Sequence, residues 1–383
     1  MNIEGTCDAR FQRVRDAFEQ NFAERDEIGA SVCIVIEGHP VVDLWGGHLD
    51  AARTKPWTRD TVVNVWSLGK AMSALALLHL MDQGTITPES QVAAAWPEFA
   101  AADKSAVTYA QLMSHQAGLC AIDAPLPRDA FFHWDLMTRA LAAQQPWWTP
   151  GEHHGYHTNT FGFLLGEPVR RLTGSSLRDY FRQHIAGPLD ADFYMGVPKS
   201  ELYRCADLVQ APRPAHARTV VPDASRVAEP LDQMRLKIYN NPSLSDYDHN
   251  SPAWRMAEFP STSPQSNARS VARIFGALAN ILATGRSGIL GPAILRQASE
   301  IYSDGEDLNI QRPTRFGLGL QLTQPDRPLG PNPGTFGHYG NGGHLGFADP
   351  TVNMGFAYHM NHQGYAWRDP RNIALTDAVY ASL

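Results

Sequence analysis

The chain has 383 residues, 43% of them hydrophobic and 10% aromatic, and a formal net charge of −7. That length and apolar content suit one large domain, or two joined lobes, around a substantial core. The acidic balance argues against a nucleic-acid partner, and no apolar run of about 18 residues argues for a membrane span.

Residues 1–26 are polar and charged, without the basic-then-apolar pattern of a secretory signal, so a soluble cytoplasmic protein is expected. Cys7, Cys33, Cys120 and Cys205 are scattered, which fits free thiols in a reducing compartment. A first helix is predicted over 11–23. The β-rich run 30–36 turns through Glu37-Gly38-His39-Pro40 into a second strand over 41–45, followed by Gly46-Gly47. Residues 68–81 are apolar nearly all round and predict a central, buried helix, with Gly84 as its C-terminal cap.

A helix-rich middle follows, with helices predicted over 108–113, 136–143, 159–172 and 177–184. Thr173-Gly174 ends the third of these. Residues 206–266 are rich in Pro, Ser, Asp and Asn and read as long surface loops with the character of a lid. Helical spacing returns over 267–283 through Val271, Ile274, Phe275, Leu278 and Leu282. Strands are predicted over 316–322, 346–348 and 353–361, and a closing helix over 373–383. Strands at both ends around a helical middle predict an α/β (α+β) fold. One lobe is built from 1–66 plus about 285–383. A mainly helical lobe is inserted over about 67–284 and includes the loop-rich 206–266 segment.

Three places carry chemistry. Five lysines occur among the 32 basic residues, and Lys70 lies in the apolar run 63–72, three residues after Ser67. A desolvated lysine can lose its proton, which arginine cannot, and so can act as a base. Ser67 and Lys70 fall one helical turn apart on one face, at a helix start where backbone N–H groups favour developing negative charge. That is an arrangement for a hydroxyl nucleophile beside an amine. A serine N-cap with a snorkelling lysine is the structural alternative.

The second place is the segment 150–159, where Tyr156 precedes an amphipathic helix. Beside a lysine ammonium its phenol pKa is expected to fall, making it a candidate base; a packing tyrosine is the alternative. The third is the glycine-rich segment 333–346, six glycines in fourteen residues, read as a strand that a ligand approaches closely. A backbone N–H there is a candidate partner for that of Ser67 in an oxyanion hole, against an ordinary hairpin. Glu152, His153, His154 and His157 offer a metal-site reading. They lie in a Pro-Gly-led loop without a His-Glu-x-x-His pattern, so no metal is expected. Ser67 also lacks a Gly-x-Ser-x-Gly elbow, against an α/β-hydrolase.

Taken together, Ser67-Leu68-Gly69-Lys70, Pro150-Gly151 with Tyr156, and the late His338-Tyr339-Gly340 resemble the serine β-lactamase and penicillin-recognition superfamily. The chain is most similar to the class C β-lactamase-like esterases, the family VIII carboxylesterases. Supporting stretches are 43–47, 112–119, Tyr156-His157 and 346–350, so the resemblance spans nearly the whole chain. It implies a β-lactamase/transpeptidase-like fold, an antiparallel sheet flanked by helices with an inserted helical lobe. It implies Ser67 as the acylated nucleophile, Lys70 and Tyr156 as base and proton shuttle, and the N–H groups of Ser67 and Asn341 as the oxyanion hole. Substrate contacts are expected from Trp66, Trp148, His157, His338 and Gly340. Phe131, Phe132, Trp134 and Trp147 are candidates for an apolar pocket, or for core packing.

The departures point to substrate. Thr158 stands where lactamases carry the Asn of Tyr-x-Asn, and His338 stands where they carry the Lys of Lys-Thr-Gly. A histidine, mostly neutral at pH 7, is a poorer anchor for a substrate carboxylate, which favours neutral esters over β-lactams and D-peptides. The expected activity is hydrolysis of a small-molecule carboxylic ester, without a cofactor. Acyl transfer or weak β-lactam hydrolysis at the same site is the alternative, and a non-catalytic scaffold of the same fold is the rival from another class. Oligomeric state is open.

Overall fold

The computed structural model describes residues 2–213 and 229–383. Strand β1 (Ile3–Cys7) leads into helix α1 (Gln12–Glu24), then the hairpin β2 (Gly29–Ile36) and β3 (His39–Gly47). Helix α2 (Leu68–Asp82) begins a helical stretch that includes Tyr109–Met113, Trp134–Ala143, α3 (Phe161–Thr173) and Leu177–Phe181. Helices α4 (Pro230–Asn240) and α5 (Ala268–Thr284) follow. The chain then returns to strands β4 (Ser303–Glu306), β5 (Pro313–Phe316), β6 (Gln321–Leu322), β7 (Phe336–Tyr339), β8 (Leu345–Asp349) and β9 (Met354–Met360). Helix α6 (Pro370–Tyr380) closes it.

These strands form one sheet in the order β1-β3-β2-β9-β8-β7-β6-β5-β4, antiparallel throughout. The central strands alternate large and small residues, and the alternation sorts the two faces. Val32, Ile34, Phe347, Phe356 and Tyr358 point toward α1 and α6, where they bury Phe11, Val14, Phe18, Leu375 and Val379. The opposite face carries Cys33, Gly346, Ala348, Gly355 and Ala357, small enough for α5 to lie close on β2, β8 and β9. At the closest approach, a Cβ on Gly355 would stand 2.2 Å from the backbone nitrogen of Gly276. Helix α2 is buried all round. It packs against α3, the helix Leu177–Phe181 and β7, and thus sits between the sheet and the helical stretch.

Several expected elements differ in instructive ways. The edge strand β1 was not expected, because Glu4, Gly5 and Thr6 are exposed and show no apolar alternation. The strand expected over 316–322 is broken into β5 and β6. Gly317 packs so closely on Ala298 that a Cβ would lie 2.0 Å from its carbonyl oxygen, and Gly319 turns the chain at φ +74°. The helix expected over 177–184 gives way after Phe181 to a π-helical turn, Arg182–Ala186. The segment 206–266 is not all loop, since it contains α4 and the short helix Pro252–Met256. Its part from 214 to 228, where a lid was expected, lies outside the described residues. Helix α5 packs on the sheet although it precedes the expected lobe boundary near 285. We propose that the sheet-bearing lobe begins again at about residue 268. No helix among the described residues is long and apolar enough to cross a membrane.

Candidate active site

Ser67 sits at the start of α2, directly after Trp66, whose φ of +53° is unusual for a bulky residue. That left-handed turn is held from behind. The Trp66 indole donates to Gln363 Oε1 at 2.7 Å, and Gln363 Nε2 donates to His344 Nε2 at 2.9 Å. One turn along α2, Lys70 Nζ lies 3.1 Å from Ser67 Oγ and 3.1 Å from the Ser261 carbonyl oxygen. Gly69 lets the 260–264 segment reach this place, because a Cβ there would stand 1.9 Å from the Pro260 carbonyl oxygen. Lys70 is fully buried, and burial alone pushes its pKa well below the usual lysine range. Burial thus favours the neutral amine, whose lone pair can take a proton from Ser67.

Tyr156 is fixed through its backbone. Its N–H donates to both carboxylate oxygens of Asp307 at 3.0 Å, and its carbonyl accepts from Asn309 Nδ2 at 2.7 Å. Its ring lies against Lys70, with Nζ 4.7 Å from the ring centre, and it packs on His115, Phe316 and Trp367. Its hydroxyl is buried and makes no hydrogen bond of good geometry among the described residues. Burial pushes the Tyr156 pKa up, and the neighbouring Ser67 hydroxyl offsets this only in part. The expected fall is thus overturned. Desolvation disfavours the phenolate, so Tyr156 is a phenol with a proton to give.

Burial disfavours charge on His338 and His157. His338 donates from Nδ1 to the Tyr339 carbonyl at 2.6 Å, its Nε2 is buried without a partner among the described residues, and burial lowers its pKa to about 3. His157 uses both ring nitrogens on backbone. Nδ1 donates to the Gly155 carbonyl at 2.7 Å, and Nε2 accepts from the Leu119 N–H at 3.0 Å. His154 bonds Thr314, so the His153–His157 group does not converge as ligands.

The cleft above Ser67 encloses about 950 Å³. Of the expected residues, Trp66, Ser67, Tyr156 and Asn341 line it. The backbone N–H groups of Ser67 and Asn341 carry no hydrogen bond among the described residues. Trp148, His157, His338 and Gly340 do not line the cleft. Trp148 donates its indole N–H to the Gln116 carbonyl, and His338 lies behind the Tyr156 ring. Gly340 packs on the turn before Ser67, where a Cβ would meet the Val65 carbonyl at 2.5 Å. The candidate pocket aromatics are core. Phe131 stacks on Phe259, Trp134 packs on Phe163, and Trp147 bonds the Ala121 carbonyl. The aromatic wall is instead Tyr239, Tyr365 and Trp367. Neither these nor Asp307, Asn309, Ser261 and Gln363 carry a motif, and their roles emerge only when distant segments meet.

The chain matches the beta-lactamase family over residues 14–381. It is 32% identical to the esterase/beta-lactamase LipL of Mycobacterium tuberculosis over 368 residues, covering 94% of this chain and 83% of that protein. Its structure superposes on that of a family VIII carboxylesterase with a TM-score of 0.91 at 38% identity, each chain covered in full. A penicillin-binding protein homolog from Caulobacter crescentus gives a TM-score of 0.90, also at 38% identity and full coverage. The fold is the β-lactamase/transpeptidase-like arrangement of an antiparallel sheet flanked by helices. From residue 14 to residue 381, this chain belongs to the beta-lactamase family.

Proposed function

We propose that this protein is a serine hydrolase that cleaves small-molecule carboxylic esters through an acyl-enzyme on Ser67. The observation that carries the reading is a fully buried lysine, without an acidic partner among the described residues, 3.1 Å from a serine hydroxyl at a helix N-terminus. The esterase names of its relatives support it. In this mechanism neutral Lys70 takes the Ser67 proton as Oγ attacks the ester carbonyl. The N–H groups of Ser67 and Asn341 stabilise the oxyanion, a role usually worth two to three orders of magnitude, ~10²–10³, per donor. Tyr156 gives its proton to the departing alkoxide and is reprotonated from the Lys70 ammonium. Water then attacks the acyl-enzyme as Lys70 accepts its proton, and Lys70 returns that proton to Ser67 Oγ as the bond to the acyl carbon breaks and the acid leaves.

His338, neutral where β-lactamases carry a lysine, supports esters over β-lactams. Transfer of the acyl group to another acceptor would use the same intermediate, and no observation favours it. Four unpaired cysteines support a cytoplasmic location. The test is hydrolysis of p-nitrophenyl butyrate by wild type and by Ser67→Ala, with EDTA present. Wild type turns the ester over and Ser67→Ala does not. Equal activity in the two proteins removes Ser67 from the mechanism. A fluorophosphonate should label wild type and leave Ser67→Ala unlabelled.

A further inference from the structure

The cleft carries a group of arginines, in a protein whose net charge is −7. Arg312, Arg327 and Arg368 line it, together with the acids Asp326 and Asp369. Asp369 is already committed, since it accepts from Arg371 Nε at 2.8 Å and from Arg371 Nη2 at 3.1 Å. Asp326 makes no ion pair among the described residues and is exposed to solvent. The lining thus holds three arginines against two acids, of which Asp326 lies near enough to Arg327 to stabilise its charge.

The arrangement is built rather than incidental. Trp367 stands 5.8 Å from the Tyr156 ring, and the guanidiniums of Arg312 and Arg327 lie 5.0 and 5.6 Å from the Trp367 ring centre. A guanidinium laid on an aromatic face can present its N–H edge to a carboxylate as a two-pronged fork. Arg327 is 8% exposed, unusual for an arginine. Its Nη2 donates to the Pro313 carbonyl, while its Nη1 is buried with no partner among the described residues. A buried donor left unmade is costly unless a ligand completes it.

We propose that the cleft takes esters bearing a carboxylate, anchored at Arg327 with Arg312 beside it across Trp367. This deepens the ester-hydrolase reading and rests on it. It also revises the expectation of neutral substrates, because arginines in the cleft lining supply a positive charge that His338 does not.

The experiment compares kcat/KM for matched ester pairs that differ only in that carboxylate. Mono-p-nitrophenyl glutarate against its methyl ester places the charge on the acyl side. The butyrate ester of 4-hydroxybenzoate against its methyl ester places it on the alcohol side. Wild type should favour the charged member of one pair by roughly tenfold or more, and added salt should shrink the preference. Arg327→Gln should bring the ratio close to one, and Arg327→Lys, which keeps the charge and loses the fork, should give an intermediate ratio. The ratio is taken within each variant, so a loss of folded protein does not alter it, and Arg312→Gln provides a second variant. Hydrolysis of the neutral esters without a charge preference in either pair, or a preference unchanged in Arg327→Gln, overturns the anionic subsite and leaves the esterase standing. If none of the esters is hydrolysed, calorimetric titration of glutarate decides separately. Salt-sensitive binding lost in Arg327→Gln upholds the subsite, and absence of binding overturns it.

Discussion

Lys70 can serve Ser67 only while it lacks its proton, so burial is its activating device. Burial lowers its pKa, which leaves the neutral amine dominant at every pH above that lowered value. Activity should therefore rise with pH through a limb whose midpoint lies well below the ordinary lysine value of about 10.4, with no further rise near that value. His157 and His338, held at about 3, do not titrate between neutral pH and that value. A pH profile of p-nitrophenyl butyrate hydrolysis with a midpoint near 10 would contradict the assignment. Lys70→Arg should be inactive, because a guanidinium keeps its proton. For Tyr156→Phe, kcat should fall by about 10²–10⁴ with KM little changed, the loss expected of a proton donor in the transition state. Scarcity singled out Lys70 in the sequence, but Lys104 is just as scarce and as fully buried. It caps the carbonyls of Ala101, Ala142 and Gln144 and has no catalytic neighbour. Spacing from Ser67 separated the two lysines. The direction of the Tyr156 shift was not legible, because it is set by the burial of the phenol, which the local sequence does not show.

The packing of α5 on the sheet sets a limit that the strand pattern only partly announces. Gly355 and Gly276 let helix and strand touch, so Gly355→Val should push α5 off β9 and cost at least roughly 1–3 kcal/mol, the range for overpacking. Urea unfolding would read this as a lower midpoint with an unchanged slope, and an unaltered midpoint would mean the backbone there yields freely. The long amphipathic or wholly apolar helices and the central strands were legible because burial imposes a period on them. Strand β1 was not, since an edge strand with solvent on most of its residues need carry no alternation. Helix α4 was hidden in polar composition. Its buried residues are Met234, Arg235 and Ile238, too few to stand out from the surrounding loops. Asp307 and Asn309 escaped for another reason. They fix Tyr156 by contacts 151 and 153 residues apart in sequence, which no local pattern records.

Across the whole molecule the two ends of the chain meet behind the site. Helices α1 and α6 pack together, Arg371 pairs with Glu27 at 3.1 Å, and Asn372 Nδ2 donates to the Gly343 carbonyl at 2.8 Å. The glycine-rich loop beside Ser67 is thus supported by the last helix, and the first strands complete the sheet it stands on. None of the four cysteines is paired, and Cys33, Cys120 and Cys205 are buried. A thiol reagent such as DTNB should find at most Cys7 in the native protein and all four thiols after denaturation, with hydrolysis unaffected by reductant. Rapid reaction of more than one native thiol would mean a looser interior. The cleft itself joins unlike materials. Ser67 and Tyr156 rise from segments packed on every side, whereas Gly364, Tyr365, Ala366, Trp367 and Arg368 belong to a partly exposed loop between β9 and α6. Inheritance can act on the two separately. Changes in that rim can alter which molecules are admitted while the chemistry beneath stays intact, so descendants of such a protein can diversify in diet without reinventing the reaction.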